Sequence, residues 1–173
     1  SICAIKGQQS VNTSMGFTPI DGLMMGSRCG SIDPMIIPYL VERQKMPINE
    51  VKKLLNEASG LLGISELSND MRDLIQSATE GNQKATLAIE MFVNRVAHTI
   101  ASYIVDLDGL DAIVFTGGIG ENSPLIRSLV VDKLQVFGMF VNQELNENGS
   151  LFIQDAPSNC KILVVQTDEE LMI

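Results

Sequence analysis

An α/β domain is the architecture this sequence predicts, on three observations. Ala112 to Phe115 is a short apolar run with β-branched Ile113 and Val114, the composition of a buried strand. Gly117, Gly118 and Gly120 follow directly, and Asn122 or Ser123 with Pro124 supplies the cap and first turn of a helix. Just before the strand, Asn82 to Leu107 carries apolar residues at three- and four-residue steps, as a long helix with one buried face does. A long helix feeding a strand, a glycine turn and another helix belongs to an α/β layer rather than a bundle.

Taken in chain order, Ser1 to Lys6 reads as a strand, Gly7 with Gln8 and Gln9 as a hairpin turn, and Val11 to Ser14 as the returning strand. Met15 to Asp33 is rich in Gly and Met without a clean period, which predicts a long ordered loop of the kind that carries function. Pro34 opens a helix to about Arg43, and Pro47 with Asn49 caps the next, Glu50 to Ala58. Gly60 and Gly63 break the chain before a short helix around Ser68 to Ser77. The long helix buries Ala88, Met91, Phe92, Val96, Ile100, Tyr103, Ile104 and Leu107 on its apolar face. After the glycine turn a helix runs from Pro124 to Val136 and stops at Gly138, with a strand at Met139 to Val141. Asn142 to Ser158 is polar and turn-rich, Lys161 to Gln166 is the last strand, and Asp168, Glu169 and Glu170 begin a final helix.

The chain has 173 residues, 45% of them hydrophobic and 19% charged, enough apolar mass for a core and unlike a disordered segment. A net charge of −9 argues against a nucleic-acid partner, which selects for a basic face. No apolar run approaches the length of a membrane span. The three cysteines, Cys3, Cys29 and Cys160, are odd in number and lack paired spacing, which fits reduced thiols in a cytoplasmic protein. The start at Ser1 and the stop at Ile173 inside a helical pattern read as a piece of a longer protein.

Few charged residues sit in unusual local settings. Arg28 lies between Gly26 and Gly30, where a guanidinium either staples the loop or offers a planar fork to a carboxylate or phosphate. Asp70 and Arg72 flank Met71 on a short helix, the pattern of a solvated helix face. Glu169 falls in the first turn of the last helix, where the dipole favours a carboxylate and where one can also hold Mg²⁺. His98, the sole histidine, has no acid or thiol near it in sequence and reads as structural. The glycine turn is not a P-loop, since no Lys-Ser/Thr pair follows it, and it lacks the third glycine of the dinucleotide fingerprint. It is either an ordinary strand-to-helix connection or a site for the polar part of a nucleotide.

Several stretches together resemble one family, the acetate kinases with their propionate kinase relatives. They are N-T-S-M-G-F-T-P-I-D-G-L-M-M-G-S-R-C-G-S-I-D-P (Asn12 to Pro34), S-G-L-L-G-I-S (Ser59 to Ser65), S-N-D-M-R (Ser68 to Arg72), F-T-G-G-I-G-E-N-S (Phe115 to Ser123) and T-D-E-E-L-M-I (Thr167 to Ile173). The resemblance implies an actin-like ATPase (ribonuclease H-like) domain, a mixed sheet with flanking helices, and it makes residues 1–173 most of the C-terminal domain of an acyl kinase. It further implies ATP or ADP and a short-chain carboxylate or acyl phosphate as substrates, Mg²⁺ as cofactor, and a homodimer. Gly118, Ile119, Gly120, Glu121 and Asn122 would hold the nucleotide together with Asp70, Met71 and Arg72. Arg28 would stabilise the transferring phosphoryl group, Pro19 would line the pocket for the acyl methyl, and Glu169 would bind the metal. The chain departs from the family pattern at Asn12 (usually Asp), Gln166 (usually Pro) and Asp168 (usually Asn). The family's N-terminal phosphate-contacting asparagine, second substrate arginine, catalytic aspartate and active-site histidine have no counterparts here, and His98 does not match that histidine. A piece lacking these groups is expected to be inactive alone.

Overall fold

The computed structural model describes residues 1–168 and divides into two compact units, Ser1–Thr99 and Ile100–Ile173. The first opens with an antiparallel hairpin, β1 (Cys3–Lys6) and β2 (Gln9–Thr13), joined by a two-residue turn. Gly7 and Gln8 both have positive φ, 57° and 65°, the arrangement whose twist matches the flanking strands. Register slips between Ala4 and Ile5, so Val11 is the extra residue of a bulge and lies exposed.

After the Met15–Asp33 loop the structure departs from the predicted single helix at 34–43. A short α1 (Ile36–Pro38) passes into a π-helical turn, Tyr39–Arg43. Pro38 lacks an N–H and cannot continue the α ladder, and the next turn closes with Gln44 N–H donating to the Tyr39 carbonyl. α2 (Ile48–Glu57) follows as expected. Gly60 and Gly63 do not merely break the chain, because Gly60–Ser65 is itself a helix, α3. α4 (Met71–Thr79) starts later than predicted because Asp70 caps it, its carboxylate accepting from Arg72 N–H.

α5 spans Gln83–Leu107, with the Asn82 side chain accepting from the N–H groups of Lys84 and Ala85. Ala85, Ala88, Ile89, Phe92, Val93, Val96 and Ala97 form its buried stripe within the first unit. Met91, expected on that face, is 44% exposed; at 3.6 residues per turn it projects from the side opposite the centre of the stripe. His98 is exposed.

In the second unit β3 (Ala112–Phe115) pairs in parallel with β4 (Lys161–Val164), Ile113 opposite Ile162 and Phe115 opposite Val164. Antiparallel bridges Phe152↔Leu163 and Val141↔Gln154 extend the pairing, so the strand interactions are mixed in direction. Only Ile113 of β3 is buried, and Val114 is 53% exposed. The strand has β4 as its one partner among the described residues, so its other edge pairs with no strand among them. Between the strands lie α6 (Gly117–Asn122), α7 (Pro124–Lys133), a 3₁₀ turn at Gln135–Phe137 and α8 (Gln143–Glu147). Here the sequence reading is corrected twice. The glycine turn is a helix, with only Gly117 among its glycines at positive φ, and the polar stretch after Asn142 contains α8, capped by the Asn142 side chain accepting from Leu145 N–H. Ser123 caps α7 as predicted, with Pro124 in its first turn. Ile126, Val130, Val131, Leu134, Met139, Ile153, Cys160 and Ile162 build this unit's core. All three cysteines are free thiols, and among the described residues no helix is long and apolar enough to cross a membrane.

Candidate active site

Arg28 is held by its backbone and not by its side chain. Leu61 and Leu62, at the start of α3, donate to the carbonyls of Met25 and Gly26 at 2.9 Å each, and Ser59 N–H donates to Ser27 at 2.9 Å. Cys29 N–H reaches the Leu55 carbonyl at 3.0 Å, and Ser27 Oγ the Asn56 carbonyl at 3.0 Å. Helix N-termini carry unpaired N–H groups, so the loop carbonyls satisfy α3 while α3 fixes the loop. The Arg28 guanidinium makes no hydrogen bond or ion pair among the described residues and is exposed. Stapling of the loop therefore runs through main chain. Beside it lies an open depression of about 760 Å³ lined by Ser27, Arg28, Asn49, Lys52, Lys53, Asn56 and Glu57, three cations against one carboxylate, which favours an anion.

The same loop is closed further back by Asp21, which accepts from Ser31 Oγ (2.6 Å) and Gly22 N–H (2.8 Å). The Ser31 bond first, and then the Gly22 N–H, hold the Asp21 carboxyl below its usual range. Phe17 and Pro19 stand exposed in this loop, Phe17 fully so. Gly26 lies against Asn69, whose carbonyl would sit 2.8 Å from a Cβ placed there. The fold thus brings the Arg28 loop next to the Asp70 cap. Arg72 folds back on that cap, Nε donating to Asp70 Oδ1 at 3.0 Å and Nη2 to Oδ2 at 2.5 Å. The Arg72 guanidinium, and then its N–H, lower the Asp70 carboxyl to about 2. A depressed carboxylate contributes stability above its unfolded value near 4 and loses it as pH falls toward 2, so this cap persists through the neutral range. Met71 is 5% exposed and serves the core of its unit.

In the second unit the C-terminal ends of two parallel strands lie side by side, the place where open α/β sheets bind ligands. β3 ends into Thr116 and α6; β4 ends into Thr167 and Asp168. Glu121 joins the two ends. Its Oε1 accepts from Gly117 N–H at 2.7 Å, from Thr167 N–H at 2.8 Å and from the hydroxyls of Thr167 and Thr116, residues 121 and 167 being 46 apart in sequence. The Thr167 hydroxyl and N–H are the main cause of its lowered pKa. Asn122 Nδ2 donates back to the Gly118 carbonyl at 2.9 Å. Gly118 is exposed, with nothing within 4 Å of where a Cβ would be. Glu169 lies outside the described residues.

One buried charge beside the candidate site escaped the sequence reading. Arg127 is 1% exposed, and its Nη1 donates to the carbonyls of Gly120 and Glu121 at 2.8 Å each. A signal was present: Val130, Val131 and Leu134, all buried, follow Arg127 at the three-, four- and seven-residue steps of one helix face. A charge on that stripe announces a buried polar network.

Known proteins agree with this architecture. A family model described as the acetokinase family matches residues 1–173. Propionate kinase PduW of Salmonella typhimurium is 51% identical over 173 residues, covering 100% of this chain and 43% of its own. An acetate kinase of Caldicellulosiruptor saccharolyticus is 50% identical over 177 residues, covering 100% and 44%. The crystal structure of a propionate kinase from Francisella tularensis superposes with a TM-score of 0.95 at 45% identity, over 98% of this chain and 44% of that one. The Porphyromonas gingivalis acetate kinase gives 0.93 at 35% identity, over 98% and 43%. The chain spans less than half the length of these relatives.

Proposed function

Because this chain belongs to the acetokinase family, we propose that it supplies the nucleotide-binding part of an acetate kinase, which moves a phosphoryl group reversibly between ATP and acetate. A carboxylate oxygen forms the new bond to the γ-phosphorus while the bond to the bridging oxygen of ADP breaks, giving acetyl phosphate and ADP. Such transfer needs positioning and charge neutralisation more than covalent help from the protein. The observation that carries the reading is the Arg28 guanidinium, free of partners among the described residues and mounted on a main chain fixed by α2 and α3. It offers a rigid fork to the equatorial oxygens of the transferring group. Gly118 to Asn122, with Asp70, Met71 and Arg72, take the nucleotide in this reading, and Pro19 takes the acyl methyl.

Mg²⁺ is the cofactor in this reading, and it would come with the nucleotide. No group of three or more His, Cys, Asp or Glu able to hold a metal occurs among the described residues. A Mg²⁺ that arrives on nucleotide phosphates needs only one or two protein carboxylates, the part we assign to Glu169. Bound there, the ion would neutralise phosphate charge. The same reading makes the whole protein a cytoplasmic homodimer.

Propionate is the second acceptor to consider, favoured by the 51% identity to a propionate kinase. One methylene changes discrimination by only about 10–200-fold, so both acceptors should react at different kcat/KM. The test is acyl hydroxamate formation by the full-length protein with ATP, Mg²⁺ and each carboxylate. Product with acetate or propionate is the expected result. Nucleotide binding without product from either would identify a non-catalytic sensor and overturn the proposal.

A further inference from the structure

Arg127 places a positive charge in the interior of the second unit, where its acceptors are neutral oxygens rather than a carboxylate. Nε donates to Asn146 Oδ1 at 2.6 Å, Nη2 to the Asn146 carbonyl at 2.8 Å, and Nη1 to the carbonyls of Gly120 and Glu121. Asn146 is itself 0% exposed and is locked in turn, Nδ2 donating to the Pro124 carbonyl and to Ser128 Oγ at 2.9 Å each. Ser128 Oγ pairs with Gln143 Oε1 at 2.9 Å. Burial of a guanidinium is costly and lowers its pKa, so a position needing only packing would be served better by leucine or methionine.

What the arginine supplies is a partner for α6. The last carbonyls of any helix lack intrahelical donors. Ser123 N–H takes that of Ile119, and Arg127 takes the next two with a single nitrogen. A six-residue helix with three glycines does not hold itself together, since glycine is a poor helix former and short helices are marginal in any case. Its geometry is fixed by contacts beyond its own ladder, by the Glu121 side chain tying the Gly117 N–H to Thr167 at one end and by Arg127 at the other.

We propose that Arg127, locked by Asn146, is a positioning residue of the nucleotide site: it touches no substrate, and it sets the place of α6 and hence of Gly118 to Asn122. The inference rests on the reading of α6 as nucleotide-binding. Three variants of the full-length protein test it by steady-state kinetics, equilibrium ADP binding and melting. Arg127→Lys keeps the charge but has one nitrogen and cannot span Asn146 and both α6 carbonyls; Asn146→Ala leaves the guanidinium unanchored and serves if the lysine variant does not fold. Gly118→Val adds a side chain whose Cβ has nothing of the chain within 4 Å, so a bound ligand is what it is expected to meet.

The expected result is a rise of about tenfold in nucleotide KM and Kd for Arg127→Lys and Asn146→Ala, with the carboxylate KM within about twofold of the starting protein. Gly118→Val should raise nucleotide KM with an unchanged melting temperature. If Gly118→Val raises it and the two network variants do not, positioning is overturned and the α6 reading stands. If Gly118→Val leaves nucleotide KM unchanged, the α6 reading falls and this inference with it. Equal loss for both substrates in step with melting temperature would make Arg127 a fold staple only and overturn the proposal.

Discussion

Replacing Arg28 by alanine in the full-length protein is expected to lower kcat by about 10²–10³-fold, the scale of removing one donor to transition-state charge. Its melting temperature should stay close to that of the starting protein. Both halves follow from the same geometry. The loop is stapled through the carbonyls of Met25, Gly26 and Ser27 and the N–H of Cys29, none of which the substitution touches. The exposed guanidinium has no partner among the described residues to lose. Arg28→Lys separates charge from shape, because an ammonium keeps the first and lacks the planar two-donor fork. It should recover only a small part of the loss. A melting temperature that drops in step with activity would show instead that Arg28 holds the loop.

Gly60→Ala is expected to be the most destabilising single substitution considered, at about 3–5 kcal/mol. Gly60 has φ +63°, and a Cβ there would lie 2.2 Å from the Met25 carbonyl oxygen and 2.6 Å from that of Arg28. Both neighbours are main chain and cannot swing aside as a flexible side chain does. To admit the methyl group, α3 must part from the Arg28 loop, breaking the bonds from Leu61 and Leu62. Gly81→Ala is the control: φ is +93°, yet nothing lies within 4 Å, so it carries the conformational cost without the collision, about 1–2 kcal/mol. Denaturant unfolding of the two variants isolates the contact. Gly60→Ala within 1 kcal/mol of Gly81→Ala would mean that the loop yields, and the close packing described here is then not what fixes Arg28.

Much of the local structure was legible because it depends on residues within a turn of one another. Ser123 before Pro124 signalled the start of α7, and Gly138 the stop that follows it, from local hydrogen bonding alone. The α5 stripe from Ala88 to Tyr103 was legible from period, although Met91 shows that counting apolar residues without projecting them misassigns one. Motif order did the same for the family, since Asn12 to Pro34 and Phe115 to Ser123 resemble acetate kinases and the acetokinase family model matches the whole chain.

By itself, then, the sequence determined the hairpin, the longer helices and the strands β3 and β4, the free thiols, the family and several of the residues worth testing, Arg28 among them, because each is written in short-range spacing or in motif order. Tertiary structure alone decided how those residues are held. Nothing near Gly60 in sequence reveals that its missing Cβ makes room for the Arg28 loop, or that three glycines after β3 stand as a helix. Glu121 reads as one more polar residue of the motif until Thr167 meets it from 46 residues away. Arg127 stands on an apolar helix stripe with no visible partner until the fold brings it Asn146 and the last carbonyls of α6. These assignments rest on which distant backbone groups the fold leaves unpaired, and a buried polar group must find a partner wherever the chain brings one.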